Sequence, residues 1–247
     1  MPRVSRRKFL SAAVMGTVAA GPALLEPSAH GASATAQPEE PHIFYGLGEW
    51  NAAAFNKLLR ARRSNKQLFD ATSPDGEGLI LHVQNTLTGL ERGFGIPAKQ
   101  ILAVAALRAG ANILNFDDYA WKKYQLGAGF HVTDPTTKKP AERNIYWHSE
   151  HAPDGNYPTD DPNDPRSMDR DQSLQALQRR GVQFLSCHVA TEFTALGAVK
   201  RLDLKESQET VTRDLLAHML PGVIAVPSMV SAISMLENHG RFGYMRL

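Results

Sequence analysis

The chain has 247 residues, 43% hydrophobic and 21% charged, with 27 Lys and Arg against 25 Asp and Glu and a single cysteine. That length suits one well-buried α/β domain and is short for two, and the near balance of charge gives no electrostatic case for nucleic acid or an anionic membrane surface as partner. One cysteine excludes an internal disulfide, C-type haem attachment and any four-cysteine zinc or iron–sulfur centre, so the fold rests on its core and the thiol is buried, capped or used.

Residues 1–36 read as an address. Arg3, Arg6, Arg7 and Lys8 form a basic start, residues 11–23 a weakly apolar run, and Ala34-Thr35-Ala36 a cleavage site of the A-x-A kind. Ser5-Arg6-Arg7-Lys8-Phe9-Leu10 resembles the twin-arginine export signal. The resemblance implies a folded precursor carried by the twin-arginine translocase to the periplasm, with membrane contact only through this signal. The apolar run is shorter than the ~20 residues a bilayer span needs, and no other segment reaches that length.

Residues 37–78 read as an N-terminal extension. Ala54, Phe55, Leu58, Leu59 and Ala61 recur at helical spacing within 50–63, and the Arg60, Arg62, Arg63 and Lys66 cluster beside them reads as a solvated face. Pro74-Asp75-Gly76-Glu77-Gly78 is a turn signal, and Leu79-Ile80-Leu81-His82-Val83 predicts the first sheet strand, with Asn85 and Thr86 at its end and a crossover helix over 86–95. The run Ile-Leu-Ala-Val-Ala-Ala-Leu at 101–107 predicts the second strand. Residues 109–115 continue as a short apolar piece, and Tyr119, Trp121, Tyr124 and Leu126 pattern a helix over 117–126.

Residues 130–171 change character. Six prolines between Pro135 and Pro165, several aspartates and Gly155 rule out a regular element and predict a long surface insertion. His148 and His151 beside Glu150 lack a third fixed ligand, and Asp160, Asp161 and Asp164 lack the spacing of a calcium loop, so no metal is expected. Residues 172–180 then predict a helix stopped by Gly181. Strands follow at 182–186, 223–226 and 243–247, with helices over 193–199, 207–220 and 228–239. Alternation of this kind signals a parallel sheet covered by helices on both faces.

Gly181-Val-Gln-Phe-Leu-Ser-Cys-His-Val-Ala-Thr191 puts Cys187 at the carboxyl end of a buried strand, where open parallel sheets carry ligands and reactive groups. Cys187 reads either as a small buried hydrophobe or as a reactive thiol. His188 beside it is a second catalytic candidate or a packed histidine. Asn85 and Thr86 are substrate-binding candidates on the same sheet edge, or a helix cap.

The order of parts over 79–247, with G-V-Q-F-L-S-C, L-P-G-V at Leu220-Pro221-Gly222-Val223 and Ser228-Met229-Val230-Ser231-Ala232, resembles the DsrE/TusD-like (DsrE/DsrF-like) sulfur-relay family. The resemblance implies a flavodoxin-like three-layer α/β fold, a homo-oligomer, a persulfide carried on Cys187, a protein donor or acceptor of sulfur, and no cofactor. Relay members work in the cytoplasm, whereas the signal here points to the periplasm, and the insertion and N-terminal helix are additions. The expectation is an exported sulfur carrier or sulfurtransferase. Its alternative is a non-enzymatic oligomeric binding or assembly module with a buried cysteine and with Phe242, Tyr244 and Met245 as exposed apolar residues. A metal-dependent hydrolase using His148 and His151 ranks third.

Overall fold

Residues 50–247 are described by the computed structural model, so the export signal and residues 37–49 of the extension lie outside the described part. The elements are α1 (Ala52–Arg60), β1 (Asn65–Ala71), α2 (Gly76–Thr88), β2 (Ile101–Leu107), α3 (Asp118–Lys123), α4 (Leu126–Phe130), α5 (Leu174–Arg179), β3 (Gln183–Cys187), α6 (His188–Leu202), α7 (Gln208–Ala217), β4 (Ile224–Val226), α8 (Met229–Asn238) and β5 (Gly243–Arg246). Five strands form one sheet in the order β4-β3-β2-β1-β5, every neighbouring pair parallel. Helices cover both faces, giving the three-layer α/β fold of the flavodoxin kind. As in flavodoxins β1 lies second from an edge, but its outer neighbour here is the last strand.

Strand alternation divides the core. Phe69, Ala71, Ala103, Ala105, Leu107 and Phe184 point to one face, where they meet α2 through α7. Leu68, Val104, Ala106, Leu185, Cys187, Ile224 and Val226 point to the other, against α1 and α8. Right-handed crossovers explain the split. The steps β1 to β2, β2 to β3 and β3 to β4 run in one direction and leave their helices on one face. The return from β4 to β5 runs the opposite way and leaves α8 on the other.

Two expectations are corrected here. Leu79-Ile80-Leu81-His82-Val83 is helical: Asp75 caps α2 by accepting from the Glu77 N–H at 3.0 Å. The buried positions Leu79, Ile80, Val83, Gln84 and Leu87 follow helical spacing while Leu81 and His82 face solvent. The first strand is instead Asn-Lys-Gln-Leu-Phe-Asp-Ala at 65–71, inside the segment expected as an extension. Its polar residues hide it from a search for apolar runs. The remaining strands fall where the apolar runs predict them, and Gly181, at φ +86, lets the chain turn from α5 into β3.

The 131–171 insertion has no regular helix or strand of its own beyond a single Thr133–Pro140 bridge. It is pinned by polar contacts: Asn144 Nδ2 donates to the Leu114 and Phe116 carbonyls at 2.9 Å each, and Asp171 accepts from Ser149 Oγ and from Tyr157 OH. At Gly127 an added Cβ would lie 2.3 Å from the Ala141 carbonyl oxygen, so α4 meets the insertion at a separation only glycine allows. Among the described residues no helix is long and apolar enough to cross a membrane.

Candidate functional site

The outgoing connections of β3 and β4 leave to opposite faces, which opens a crevice at the carboxyl ends of these two strands. Ligands of open α/β sheets bind at such switch points. A cavity of about 480 Å³ lies there. From α6 it is walled by Val189, Ala190, Phe193 and Thr194, from α8 and its cap by Ser228, Met229 and Val230, and from β2 and α4 by Arg108, Ala109 and Phe130. Cys187 completes the wall, 7% exposed.

Cys187 is both the last residue of β3 and the N-cap of α6, and its side chain makes no capping bond. The thiol therefore sits at the positive end of a 15-residue helix, where the first backbone N–H groups have no intrahelical acceptor. A buried polar clamp fixes its backbone. Cys187 N–H donates to Asn112 Oδ1 at 2.8 Å, Ser186 Oγ donates to the same oxygen at 3.1 Å, Asn112 Nδ2 donates to Thr191 Oγ1 at 3.0 Å, and Thr191 Oγ1 donates to the Cys187 carbonyl at 3.1 Å. Asn112 belongs to the short 3₁₀ stretch Ala109–Asn115, so the turn after β2 holds the end of β3. That turn begins with Ala109 at φ +50, a left-handed conformation a non-glycine residue adopts at a cost of about 1 kcal/mol.

Among the described residues, Arg108 supplies the only charged side chain in the cavity wall. Its Nε and Nη2 donate to the two carboxylate oxygens of Asp70 at 2.8 and 2.9 Å, and Tyr244 OH donates to Asp70 Oδ2 at 2.7 Å. Asp70 is 1% exposed, the Arg108 side chain 27%. One row thus crosses the carboxyl edge of the sheet: Tyr244 on β5, Asp70 on β1, Arg108 after β2, Cys187 on β3. The hydrogen bond from Arg108 to Asp70, aided by the charges of Asp70, Tyr244 and Cys187 and opposed by burial, raises the arginine further above its usual range. Hydrogen bonding to Asp70 and burial raise Tyr244 as well.

The other expected residues lie elsewhere. His188 is in the first turn of α6 but outside the cavity wall, with Nε2 3.3 Å from Glu192 Oε1, both side chains buried. Asn85 and Thr86 sit near the C-terminal end of α2 and outside the cavity wall, Asn85 exposed and Thr86 Oγ1 donating to the His82 carbonyl at 2.8 Å. Their placement at a strand end failed with the strand itself. His148 and His151 line a separate polar cavity of about 520 Å³ against the insertion, where His148 Nε2 lies 3.5 Å from Asp118 Oδ2. Among the described residues no group of three or more His, Cys, Asp or Glu could hold a metal ion. Sequence reasoning missed Arg108, Asp70, Tyr244 and Asn112. The one visible signal was a lone cation directly after the apolar run of β2.

Set against protein-family models, curated proteins and solved structures, the chain matches none. Fold and site together define a three-layer α/β protein with a thiol and a paired guanidinium facing an apolar cavity at the sheet's switch point.

Proposed function

We propose that the protein is a sulfur carrier in which Cys187 takes up sulfane sulfur and holds it as a persulfide. The observation carrying this reading is the position of Cys187 on the wall of the switch-point cavity beside Arg108. In the step, the Cys187 thiolate attacks the outer sulfur of a persulfide R–S–SH. A bond forms between Sγ and that sulfur, the R–S to S bond breaks, R–S⁻ leaves with the electron pair, and Cys187 ends as Cys–S–SH. The N-terminus of α6 and the Arg108 guanidinium favour the negative charge that enters and leaves the site. The DsrE-like resemblance supports the same chemistry, and with it a protein donor or acceptor and a homo-oligomer. Export to the periplasm through the twin-arginine pathway rests on Ser5–Leu10.

A second reading has its own observation: Cys187 packs among Leu185, Val226 and Met229 in the core of the α1 and α8 face, as a structural cysteine would. The protein would then be a binding module whose cavity takes a ligand without covalent chemistry. Iodoacetamide labelling read by intact mass separates the two. The carrier reading expects Cys187 to be labelled in the native chain and a one-sulfur mass gain after inorganic tetrasulfide that is absent in Cys187→Ser. Labelling only after unfolding, with no sulfur gained, would reject it in favour of the binding module.

A further inference from the structure

Resting on the carrier reading, we infer that sulfur reaches Cys187 on a small organic persulfide with an apolar body rather than as thiosulfate or inorganic polysulfide. The cavity's chemistry carries this. A volume of about 480 Å³ lies within the range of sites for organic ligands, far above what a single small inorganic anion fills. Around it the wall is aromatic and aliphatic: Phe130, Phe193, Val189, Met229 and Val230, with Thr194 and Ser228 as the uncharged polar groups. A small inorganic anion would leave most of that surface facing water, whereas an alkyl or aryl group would cover it.

Charge points the same way. Among the described residues Arg108 is the one charged side chain of the wall, and it already faces the Asp70 carboxylate through two hydrogen bonds. A guanidinium has five N–H donors, so three remain after Asp70 is served. That suits one negative charge, the R–S⁻ released when the outer sulfur moves to Cys187. Among the described residues the wall holds no second cationic side chain to pair with the second charge of thiosulfate. Two exposed apolar side chains mark the mouth, Phe193 at 56% and Val230 at 63%, an arrangement suited to receiving the apolar body from solution.

The test measures the one-sulfur mass gain on the full chain over time with four donors: benzyl persulfide, glutathione persulfide, thiosulfate and inorganic tetrasulfide. The inference expects benzyl persulfide to load Cys187 at least about tenfold faster than the polar donors at equal concentration, the scale that burial of a phenyl ring supports. Phe193→Asp and Val230→Asp alter exposed positions and should preserve the fold. Both should slow benzyl persulfide more than tetrasulfide, shrinking the ratio between them. Thiosulfate, tetrasulfide or glutathione persulfide loading as fast as benzyl persulfide would overturn the apolar-carrier inference while leaving the carrier role standing. Loading by none of the four would overturn both.

Discussion

The carboxyl edge of the sheet and the 131–171 insertion are both irregular in backbone, yet they are held by different forces. At the sheet edge, Cys187, Arg108 and Asn112 hang from strands buried on both faces, and long-range contacts fix them: Arg108 to Asp70 across 38 residues, Tyr244 to Asp70 across 174. Within the insertion much of the order is local. Asp134 accepts from the Thr136 and Thr137 N–H groups, Asp154 from Asn156, Asp161 from Asn163 and Asp164 from Arg166, each carboxylate closing a turn two or three residues on. A site built the first way keeps its geometry as long as the sheet stands. Segments built the second way depend on the ionisation of a few carboxylates.

Breaking the sheet should have the largest effect. Phe69→Ala removes a fully buried ring at the centre of the larger core and is expected to cost about 3–5 kcal/mol of stability by denaturant unfolding. Asp70→Ala removes a buried carboxylate that accepts from Arg108 and from Tyr244 OH and should cost about 2–3 kcal/mol, slowing sulfur loading of Cys187 as well. Asn112→Ala strips the acceptor from Ser186 Oγ and the Cys187 N–H, both buried, for a cost of about 2 kcal/mol in the same unfolding measurement. Equal or smaller losses from Phe69→Ala than from Asn112→Ala would contradict the ranking of core over clamp.

Acid should act on the insertion first. Hydrogen bonds from the Thr136 and Thr137 N–H groups lower Asp134, those from Asn156 lower Asp154, and Arg166 holds Asp164 down at about 2 against an ordinary 3.8. Carboxylates lowered in the folded state contribute stability that is full above their unfolded pKa and is lost as pH falls through the folded value. Amide hydrogen exchange in the insertion should therefore quicken as pH drops from about 4 towards about 2, after correction for the intrinsic pH dependence of exchange, while β2 and β3 amides stay protected. The smallest effect belongs to Asp214. Burial pushes it up, but hydrogen bonds from Tyr124 and Lys123 outweigh that and leave it lowered. Tyr124→Phe should flatten the acid limb of the stability curve slightly while leaving stability's pH dependence between about pH 5 and about pH 9 unchanged.

The sequence was readable where burial leaves a continuous apolar run. Strands β2 and β4 and the Phe184-Leu185-Ser186 centre of β3 show it plainly, and the parallel architecture follows from their alternation with helices. Strand β1 was unreadable because Asp70, which the site uses, sits in its buried half, and Lys66 and Gln67 dilute the rest. Leu79–Val83 carried the apolar run a strand was expected to have, and only the longer spacing through Leu87 shows a helix. Cys187 was found because it ends a legible strand. Its partners were not, since Arg108, Asp70 and Tyr244 meet only through the order of strands in the sheet.

The most direct test of the central claim is cyanolysis of the tetrasulfide-treated chain after removal of excess reagent. Cyanide takes the outer sulfur of a persulfide as thiocyanate and leaves the thiolate. The account predicts about one thiocyanate per chain, with the sulfur mass on Cys187 lost in step and neither signal from Cys187→Ser. Thiocyanate released equally by Cys187→Ser, or a native chain that gains no sulfur from either tetrasulfide or benzyl persulfide, would contradict it.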